Sequence, residues 1–511
     1  MKPNQYQSAI VEWVREGRGH AAVSAVAGSG KTTTLVNLVA PQLRGRALFV
    51  AFNKSIAGEL GRKLRGTPVQ SSTIHSAGLR ALGTVWDRHP KIDGGKLRRV
   101  VKDLLWEVKD GQYPASKEVK DVVKGTKRAS LASALVKAYD LARLTMLVNA
   151  TDTLPVVDEG AIAEMCMHFG VDAGGLPLSD WLPLLFEVEA RSLNLAREGV
   201  IDFSDMVWLP AIGEVPGVGP VTLPTYDWLL VDEAQDLNRC QMTFVQRLLG
   251  PGGRMLVVGD PRQAIYGFAG ADSKAFGNLV EALDAEVLPL SVCYRCPTSH
   301  VKLAQEDVEY IEAAPGAAEG ELVQGVSATA LVDKVHEGDL VLCRTTAPLV
   351  KHALQAIRAG IPASVKGRDI GKGLIRLLDM AAGDVRDLDT AMGRVDAYVD
   401  QEIAKLAKRE GTEGKQMALD DQRMALWAIA DNCESVLGVK QFIESLFRDD
   451  RGSVLFSTIH RAKGLEAERV HLLRPDLLPH PMAVQDWEVE QEMNLRYVAR
   501  TRAKQSLTVY G

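Results

Sequence analysis

Residues 25–34 read AVAGSGKTTT, a glycine-containing loop that ends in a lysine and three threonines. Backbone N–H groups at the start of a helix, where the helix dipole is positive, can surround phosphate oxygens. In such a loop Gly28 and Gly30 permit close approach of the backbone, and Lys31 reaches the β- and γ-phosphates. Thr32 supplies a hydroxyl ligand for Mg²⁺. The loop therefore predicts binding of ATP together with Mg²⁺.

The flanking segments supply the context that such a loop needs. An apolar run, AAVSAV, occupies residues 21–26, and residues 31–40 contain neither proline nor glycine. This order predicts a strand, a loop and a helix. One position departs from the usual G-x-x-x-x-G-K-T spacing, because Ala25 replaces the first glycine. The alternative, a glycine-rich turn with an incidental lysine, is disfavoured by this context.

A second constellation is a pair of acids at the end of another apolar run. Residues 228–236 read WLLVDEAQD, which predicts that Asp232 and Glu233 end a buried strand. At such a position one carboxylate can enter the Mg²⁺ shell, and the other can orient and deprotonate an attacking water. Acids are common at exposed strand ends, so the pair by itself is a weak signal. Together with the phosphate loop it indicates hydrolysis of the nucleotide.

The elements that must position these residues can be read from short apolar runs that alternate with helical stretches. Eight runs predict strands, at residues 21–26, 47–52, 228–231, 255–259, 339–343, 453–458, 469–473 and 506–510. Continuous apolar runs of this length are typical of buried strands in a parallel sheet. We therefore predict α/β cores, with the boundary between two of them near Leu290.

Two long gaps in this alternation are rich in helix formers. Residues 80–200 and about 375–450 place apolar residues at the i, i+3, i+4 spacing of amphipathic helices. We expect both gaps to be helical insertions into the cores. The predicted domains are a first core at 1–79 and 200–289, an insertion at 80–199, a second core at 290–374 and 451–511, and a reduced insertion at 375–450.

The composition describes an ordinary globular chain whose charge is unevenly distributed. The 511 residues carry a formal net charge of −5 and are 46% hydrophobic. A chain of this length predicts about two to four domains. Residues 91–128 hold eleven Lys or Arg and six acids, whereas residues 145–190 hold eight acids and no Lys or Arg. The basic stretch is either a solvated helical face or a surface that contacts phosphates.

The cysteines and the apolar segments indicate where the chain acts. Six scattered cysteines are typical of a reducing compartment. Cys293 and Cys296 form one C-x-x-C, but no second pair or histidine stands at zinc spacing, which disfavours a metal or redox role. No apolar span is long enough to cross a bilayer, and residues 1–8, MKPNQYQS, do not form a leader. We predict a cytoplasmic protein with no membrane partner.

Eleven short motifs occur in one order along the chain. They are YQSAI (6–10), AVAGSGKT (25–32), VAFNKSIAGEL (50–60), STIHS (72–76), IDFSDM (201–206), LLVDEAQD (229–236), GDPRQAIYGFAGAD (259–272), CYR (293–295), LCRT (342–345), STIHRAKGLEAERV (457–470) and YVARTRAK (497–504). This set resembles the UvrD/Rep-type superfamily 1 DNA helicases. FNKSIA followed by TIHS is particularly similar to the F-box helicase branch. The resemblance extends from Gln7 to Lys504 and covers both predicted cores.

The resemblance implies two RecA-like domains, with ATP at their interface and single-stranded DNA across their tops. By position, Gln7 matches the glutamine that reads the adenine edge. An exposed polar residue on the first helix is the alternative for Gln7, and Gln5 is a rival for the role. The implied nucleotide-binding set is Gln7, Ala27, Gly28, Ser29, Gly30, Lys31, Thr32, Thr33 and Glu466.

The resemblance also implies which side chains take part in hydrolysis. Gln263 matches the residue that senses the γ-phosphate or the attacking water. Arg295 and Arg502 match two arginines that the second domain presents to the γ-phosphate, where a guanidinium neutralises developing charge only when the domains close. The implied catalytic set is Lys31, Asp232, Glu233, Gln263, Arg295 and Arg502, and the implied metal ligands are Thr32 and Asp232.

On the DNA side the resemblance points to aromatic rings and small polar groups. Rings can stack on any base, and small polar groups can contact phosphates without reading sequence. The implied DNA-binding set is Phe52, Asn53, His75, Tyr266, Phe268, Thr458 and His460. Each aromatic taken alone is also a plausible core residue. The chain departs from the family pattern at Phe268, Ala269 and Asn494, where Trp, Arg and Arg are more usual.

The combined expectation is an ATP-dependent DNA helicase or translocase that moves 3′ to 5′ on single-stranded DNA and separates duplexes. The expected partners are single-stranded and tailed duplex DNA, and a monomer is compatible with the sequence. An ATP-gated translocase that binds DNA or displaces proteins without productive unwinding is the alternative, because of Ala269 and the reduced insertion. A small-molecule kinase would leave Arg295 and Arg502 without a role and is disfavoured.

Overall fold

The computed structural model describes residues 2–51, 54–86, 88–147, 159–265, 275–407, 412–447, 453–481, 483 and 485–511. The chain divides into two compact units. The first comprises residues 1–25, 31–261 and 266–290, and the second comprises residues 26–30, 262–265 and 291–511. The phosphate loop at residues 26–30 is therefore grouped with the second unit.

The first unit is built on a parallel sheet. Its strands are β1 (Ala21–Ala25), β2 (Ala47–Ala51), β3 (Val69–Thr73), β4 (Lys91–Ile92), β5 (Val200–Ile201), β6 (Glu214–Val215), β7 (Gly219–Pro220), β8 (Tyr226–Val231), β9 (Leu249–Gly259) and β10 (Glu286–Leu290). Six of them form one sheet in the order β10-β1-β9-β8-β2-β3, with every neighbouring pair parallel. The short strands pair as β4 with β5 and β6 with β7.

Helices cover both faces of this sheet. They are α1 (Gln5–Glu16), α2 (Lys31–Thr33), α3 (Lys54–Lys63), α4 (Ile74–Leu82), α5 (Lys96–Asp110), α6 (Lys117–Lys124), α7 (Arg128–Leu144), α8 (Glu159–His168), α9 (Leu178–Arg197), α10 (Asp205–Ile212), α11 (Arg239–Arg247) and α12 (Ala275–Leu283). A π-helical stretch at Thr34–Val39 continues α2. Within β2, Leu48 belongs to one buried cluster and Phe49 to another, because successive side chains point to opposite faces.

The second unit repeats this plan. Its strands are β11 (Val292–Cys293), β12 (Glu312–Ala313), β13 (Glu321–Val326), β14 (Leu340–Cys343), β15 (Ala363–Val365), β16 (Val454–Thr458), β17 (Ala467–Leu473) and β18 (Ala503–Tyr510). Six of them form a parallel sheet in the order β13-β18-β17-β14-β16-β15. Its helices are α13 (Thr298–Ala304), α14 (Leu331–Lys334), α15 (Ala347–Arg358), α16 (Arg368–Ala382), α17 (Leu388–Leu406), α18 (Glu413–Ala430), α19 (Val436–Leu446) and α20 (Asp486–Arg500).

The predicted α/β class with two parallel-sheet domains is confirmed. Each of the eight apolar runs contains a strand of one of the two large sheets. The four remaining strands of these two sheets, β3, β10, β13 and β15, were not predicted, and they are the edge strands. An edge strand has a neighbour on one side only and needs no continuous apolar run. The division into cores and insertions at 80–199 and 375–450 stays a prediction.

Buried ion pairs join two of the helices between β4 and β5 to the segment that contains the start of α10. The fully buried Lys96 of α5 pairs with Asp205 at 2.5 Å. Arg143 of α7, also fully buried, pairs with Asp205 at 2.6 Å and with Asp202 at 3.0 Å. Both acids come from the IDFSDM motif. Buried charges of this kind persist only when they are paired, so these two acids have an architectural role.

The basic stretch at residues 91–128 is mainly a solvent-facing surface. On α5 the apolar side chains of Leu97, Val101 and Leu104 are buried. Eight of the eleven basic residues of the stretch are exposed, whereas Lys96 is buried. An exposed, positively charged face of this kind can contact water or phosphates. A role in binding phosphates therefore stays a prediction.

Arg254 contacts the C-terminal turn of α1 through its guanidinium group. The Arg254 guanidinium lies 4.1 Å from the ring centroid of Trp13 and 4.5 Å from that of Trp228. It also donates to the carbonyl oxygens of Trp13 at 2.9 Å and of Val14 at 3.0 Å. The Trp13 carbonyl also accepts from the Gly17 N–H at 2.8 Å, so Arg254 adds a second donor to the last turn of α1.

We expect Arg254→Ala to lower the free energy of unfolding by about 2–4 kcal/mol, because it removes both the cation–π contacts and charged hydrogen bonds. Arg254→Lys should recover only part of this loss, since an ammonium group lacks the planar fork. The measurement is urea unfolding followed by circular dichroism. An unchanged midpoint for Arg254→Ala would contradict the assigned role.

Candidate functional site

The phosphate loop has the backbone that its sequence predicts. It follows β1, and Gly28 and Gly30 have φ values of +67° and +78°, in the left-handed region that favours glycine. A Cβ atom on Gly28 would lie 2.6 Å from the Cβ of Arg295, so no larger residue fits there. The Ala27 N–H donates to the hydroxyl of Tyr497 at 2.9 Å. The loop is thus held in a conformation that only glycine accommodates at residue 28.

Thr32 and Asp232 meet although 200 residues separate them in the chain. The Thr32 hydroxyl donates to the Asp232 carboxylate at 3.1 Å. Burial, with a contribution from the neighbouring Glu233, raises the pKa of Asp232 to about 6. A hydroxyl and a carboxylate are the hard oxygen donors that Mg²⁺ prefers, and a divalent cation favours the ionised carboxylate. The pair therefore fits the predicted metal ligands.

The remainder of the Mg²⁺ shell would come from the nucleotide. Among the described residues no group of three or more His, Cys, Asp or Glu side chains is arranged to hold a metal ion. Mg²⁺ is commonly bound by one or two protein ligands together with substrate phosphates. Thr32 and Asp232 suffice for that arrangement.

Glu233 stands beside this pair in an unusual backbone conformation. Its φ is +53°, a value that non-glycine residues rarely adopt. One carboxylate oxygen lies 3.7 Å from the Lys31 ammonium. The other oxygen accepts a hydrogen bond of 2.5 Å from the side-chain amide of Gln235. Lys31, Glu233 and Asp232 are therefore assembled in the first unit, as the sequence predicts for the phosphate-binding and hydrolytic groups.

Gln7 is buried, so the alternative of an exposed polar residue does not hold. Its amide oxygen accepts from the Asn4 N–H at 3.1 Å, and its amide nitrogen donates to the Thr34 hydroxyl at 3.0 Å. The first bond belongs to the capping box that starts α1. The rival, Gln5, is exposed. Recognition of adenine by Gln7 stays a prediction.

Arg295 and Arg502 both lie against Thr501 in the second unit. Arg295 pairs with Glu466 at 2.7 Å and donates to the Thr501 carbonyl at 3.3 Å. The buried Arg502 donates to the Val498 carbonyl at 2.9 Å and to the Thr501 hydroxyl at 3.1 Å. The segment at residues 498–502 therefore fixes the positions of both guanidinium groups.

Glu466, predicted to bind the nucleotide, bridges two cations. Its carboxylate pairs with Arg295 and with Lys504, each at 2.7 Å. Burial acts to raise the pKa of Glu466, but the bonds from Lys504 and Arg295 outweigh it and lower the pKa below its ordinary value. Glu466 is therefore ionised at neutral pH.

Gln263 ends a short 3₁₀ turn at Pro261–Gln263 and is buried. Lys463 donates to the Gln263 carbonyl at 2.6 Å, and Asn494 donates to the Ala264 carbonyl at 3.0 Å. Asn494 is one of the positions at which the chain departs from the family pattern, and here it holds the backbone directly after Gln263.

Of the seven predicted DNA contacts, His75, Thr458 and His460 belong to the described residues. Phe52, Asn53, Tyr266 and Phe268 lie outside the described residues, as does Ala269. His75 is partly buried, and burial lowers its pKa. Thr458 is partly exposed at the end of β16. Burial, and then the nearby charges of Arg344 and Arg461, lower the pKa of His460 to about 3, so its imidazole is neutral at physiological pH.

Two candidate residues escaped the sequence analysis. Gln235 contacts Glu233 and stands two residues after it in the DEAQD run. Phe203 is 58% exposed on the turn between β5 and α10. Its ring packs against Gly94, where an added Cβ atom would lie 3.1 Å from a carbon of the Phe203 ring. The available signal for Phe203 was an aromatic residue flanked by polar residues in IDFSDM, outside any apolar run.

A phosphate loop followed by a strand that ends in Asp-Glu, on a parallel sheet, defines the class of P-loop nucleotide hydrolases. A model of the UvrD/REP helicase N-terminal domain matches residues 4–283, and one of the UvrD-like helicase C-terminal domain matches residues 434–510. The chain belongs to the UvrD/REP helicase family. It is an ATP-dependent DNA helicase, as its motifs predicted.

Named relatives align with nearly the whole chain. The ATP-dependent DNA helicase UvrD2 of Mycobacterium tuberculosis is 26% identical, over 98% of this chain and 77% of its own length. F-box DNA helicase 1 of Gallus gallus is 25% identical, over 95% of this chain and 46% of its own length. F-box DNA helicase protein 1 of Schizosaccharomyces pombe is 25% identical, over 95% of this chain and 55% of its own length. The predicted likeness to the F-box branch is thereby confirmed.

In the described part of the chain no helix combines the length and the apolar character needed to cross a membrane.

Proposed function

We propose that this helicase moves 3′ to 5′ along single-stranded DNA and uses ATP hydrolysis to separate a duplex ahead of it. The observation that carries the proposal is the pairing of Lys31 with Glu233 and of Thr32 with Asp232. This set contains a cation for the phosphates, two oxygen donors for Mg²⁺ and a carboxylate for the attacking water. The direction is supported by the family likeness, through FNKSIA, TIHS and DFSD.

In this proposal each side chain of the set has one task. Thr32 and Asp232 hold Mg²⁺, which neutralises charge on the transferred phosphoryl group when it is bound. Lys31 binds the β- and γ-phosphates, and Glu233 orients the attacking water and accepts its proton. Gln263 senses the γ-phosphate or this water. Mg²⁺ and ATP are therefore both required for turnover.

The DNA is held through base stacking and phosphate contacts. The proposed set retains Phe52, Asn53, His75, Tyr266, Phe268, Thr458 and His460. We add Phe203, because an aromatic ring that is 58% exposed offers a stacking surface that tolerates any base. The neutral imidazole of His460 can hydrogen-bond a phosphate or base without contributing charge. Such contacts predict little dependence on base sequence and affinity that falls with salt. We place this activity in the cytoplasm.

The test of direction is unwinding of duplexes that carry a single-stranded tail on one end. We expect a 3′-tailed duplex to be unwound in the presence of ATP and Mg²⁺, and a 5′-tailed or blunt duplex to be unwound poorly. Fluorescence of a labelled displaced strand measures the rate. Efficient unwinding from a 5′ tail alone would contradict the proposed direction.

The same preparation distinguishes the helicase from the alternative translocase. Stimulation of ATPase by single strands without unwinding of either tailed duplex would favour an ATP-gated translocase that binds DNA or displaces proteins. Lys31→Ala serves as the negative control, since it removes the phosphate-binding cation.

A further inference from the structure

The side chain of Gln235 connects two functional segments of the first unit. It is buried, and its amide oxygen accepts from the backbone N–H of Asp260 at 3.0 Å. Its amide nitrogen donates to the Glu233 carboxylate at 2.5 Å. The orientation of the amide is determined by its partners, because a backbone N–H can only donate and an ionised carboxylate can only accept. Both functional ends of Gln235 are therefore used.

The backbone of Glu233, the residue that Gln235 contacts, does not by itself fix the orientation of the carboxylate. Glu233 has a left-handed φ of +53° and stands at the start of a short 3₁₀ turn, Ala234–Asp236. Its side chain has several rotatable bonds, and a hydrolytic base must be held close to one productive geometry. Lys31 lies near one carboxylate oxygen and Gln235 binds the other. Each oxygen thus has its own partner.

The second contact of Gln235 depends on a glycine. A Cβ on Gly259 would lie 2.6 Å from the Gln235 amide oxygen and 3.0 Å from a ring carbon of Phe276. The absence of a side chain at Gly259 lets the amide reach the Asp260 N–H. Asp260 follows β9 directly and stands three residues before Gln263 in the chain. Through its two hydrogen bonds, Gln235 therefore links the Glu233 carboxylate to the backbone at the start of the GDPRQ segment.

We propose that Gln235 is a positioning residue for ATP hydrolysis, which holds the Glu233 carboxylate in its productive orientation and fixes it relative to Asp260. The inference rests on the proposed role of Glu233 as the base. Gln235 makes no contact with the phosphates in this role. Its loss should therefore reduce the rate of the chemical step and leave ATP binding intact.

The decisive experiment is a double-mutant cycle between Gln235 and Glu233. Gln235→Met keeps the length of the side chain and removes its hydrogen bonds to Glu233 and Asp260, together with a longer one of 3.4 Å to Asp236. In the otherwise unchanged protein we expect it to lower kcat about 10- to 100-fold, with the KM for ATP changed by less than about twofold. In the Glu233→Gln background it should cause no further loss of residual hydrolysis, because the base that Gln235 positions is already absent.

A neighbouring glutamine supplies the matched control. Gln241 accepts from the Asn238 N–H at 3.1 Å in the capping box of α11. Gln241→Met removes a hydrogen bond of similar type and should change kcat by less than about twofold. Gln235→Glu is the second variant, in case Gln235→Met does not fold. It retains an oxygen for the Asp260 N–H but sets a carboxylate against Glu233, so it should also lower kcat.

The outcomes separate this inference from the proposed function. Wild-type kcat in Gln235→Met or Gln235→Glu, with an inactive Glu233→Gln, overturns the positioning role alone. Equal losses from Gln235→Met in both backgrounds also overturn it, because Gln235 would then act independently of Glu233. Near-normal turnover in Glu233→Gln instead refutes the base on which the inference rests.

Discussion

Glu233→Gln and Lys31→Ala are each expected to lower the kcat of DNA-stimulated ATP hydrolysis by about 10³-fold or more. Glutamine is close in size to glutamate but cannot accept the proton of the attacking water. Alanine at residue 31 removes the cation that stands 3.7 Å from Glu233 and that would bind the transferred phosphate. The measurement is phosphate release at saturating ATP, Mg²⁺ and single-stranded DNA.

The two variants should differ in their affinity for ATP. Lys31→Ala should weaken binding of a fluorescent ATP analogue, because in the proposed mechanism Lys31 contacts the phosphates in the ground state. Glu233→Gln should retain binding, since the proposed contact of Glu233 is with the attacking water and not with ATP. Matched controls come from the exposed pair Glu59 and Lys63, 2.6 Å apart, where Glu59→Gln and Lys63→Ala should leave turnover unchanged. Near-normal turnover in either active-site variant would refute the assignment.

The second large effect is expected at the arginine pair of the second unit. Arg295→Ala and Arg502→Ala should each lower kcat about 10²- to 10⁴-fold, while the dissociation constant of ATP changes by less than about threefold. The reason is that a guanidinium placed on the γ-phosphate neutralises charge that develops only in the transition state. Single-turnover hydrolysis and equilibrium binding of the analogue measure the two quantities.

Two further variants are needed to interpret the loss of activity at the arginine pair. Arg502 is buried and bonded to Val498 and Thr501, so its removal also disturbs packing. Arg502→Lys keeps the charge but not the planar fork, and it should remain impaired even if it folds normally. Arg500, which pairs with Asp307 at 2.8 Å, is the control, and Arg500→Ala should retain kcat. A loss of binding in proportion to kcat would indicate ordinary ground-state contacts.

Much of the fold could be predicted because buried parallel strands are recognisable by their residues alone. Both faces of a strand such as β2 are covered, so Leu48 and Phe49 must both be apolar and the run is continuous. The edge strands β3 and β13 carry polar or exposed residues, including Gln70 and Glu321, and resemble loops. Their pairing depends on a neighbouring strand that is distant in the sequence.

The sequence by itself determined the chemistry of this protein: the phosphate loop, the acid pair after an apolar run, and the ordered motifs of the UvrD/REP family. These are local features, because a loop that approaches phosphate or a carboxylate at a strand end requires particular residue types within a few positions. The occurrence of both features in one chain led to the prediction that Lys31 and Glu233 act on the same nucleotide.

The tertiary structure alone decided what the remaining polar side chains do. Gln7 and Gln235 are both buried amides, yet one bonds to Asn4 and Thr34 and the other to Glu233 and Asp260. The sequence specifies that a glutamine amide can both donate and accept hydrogen bonds. Which groups it bonds to depends on the order of the strands and on which turns lie next to one another in the fold. Buried polar groups must be satisfied by whatever lies within hydrogen-bonding distance, and that distance is a property of the folded chain.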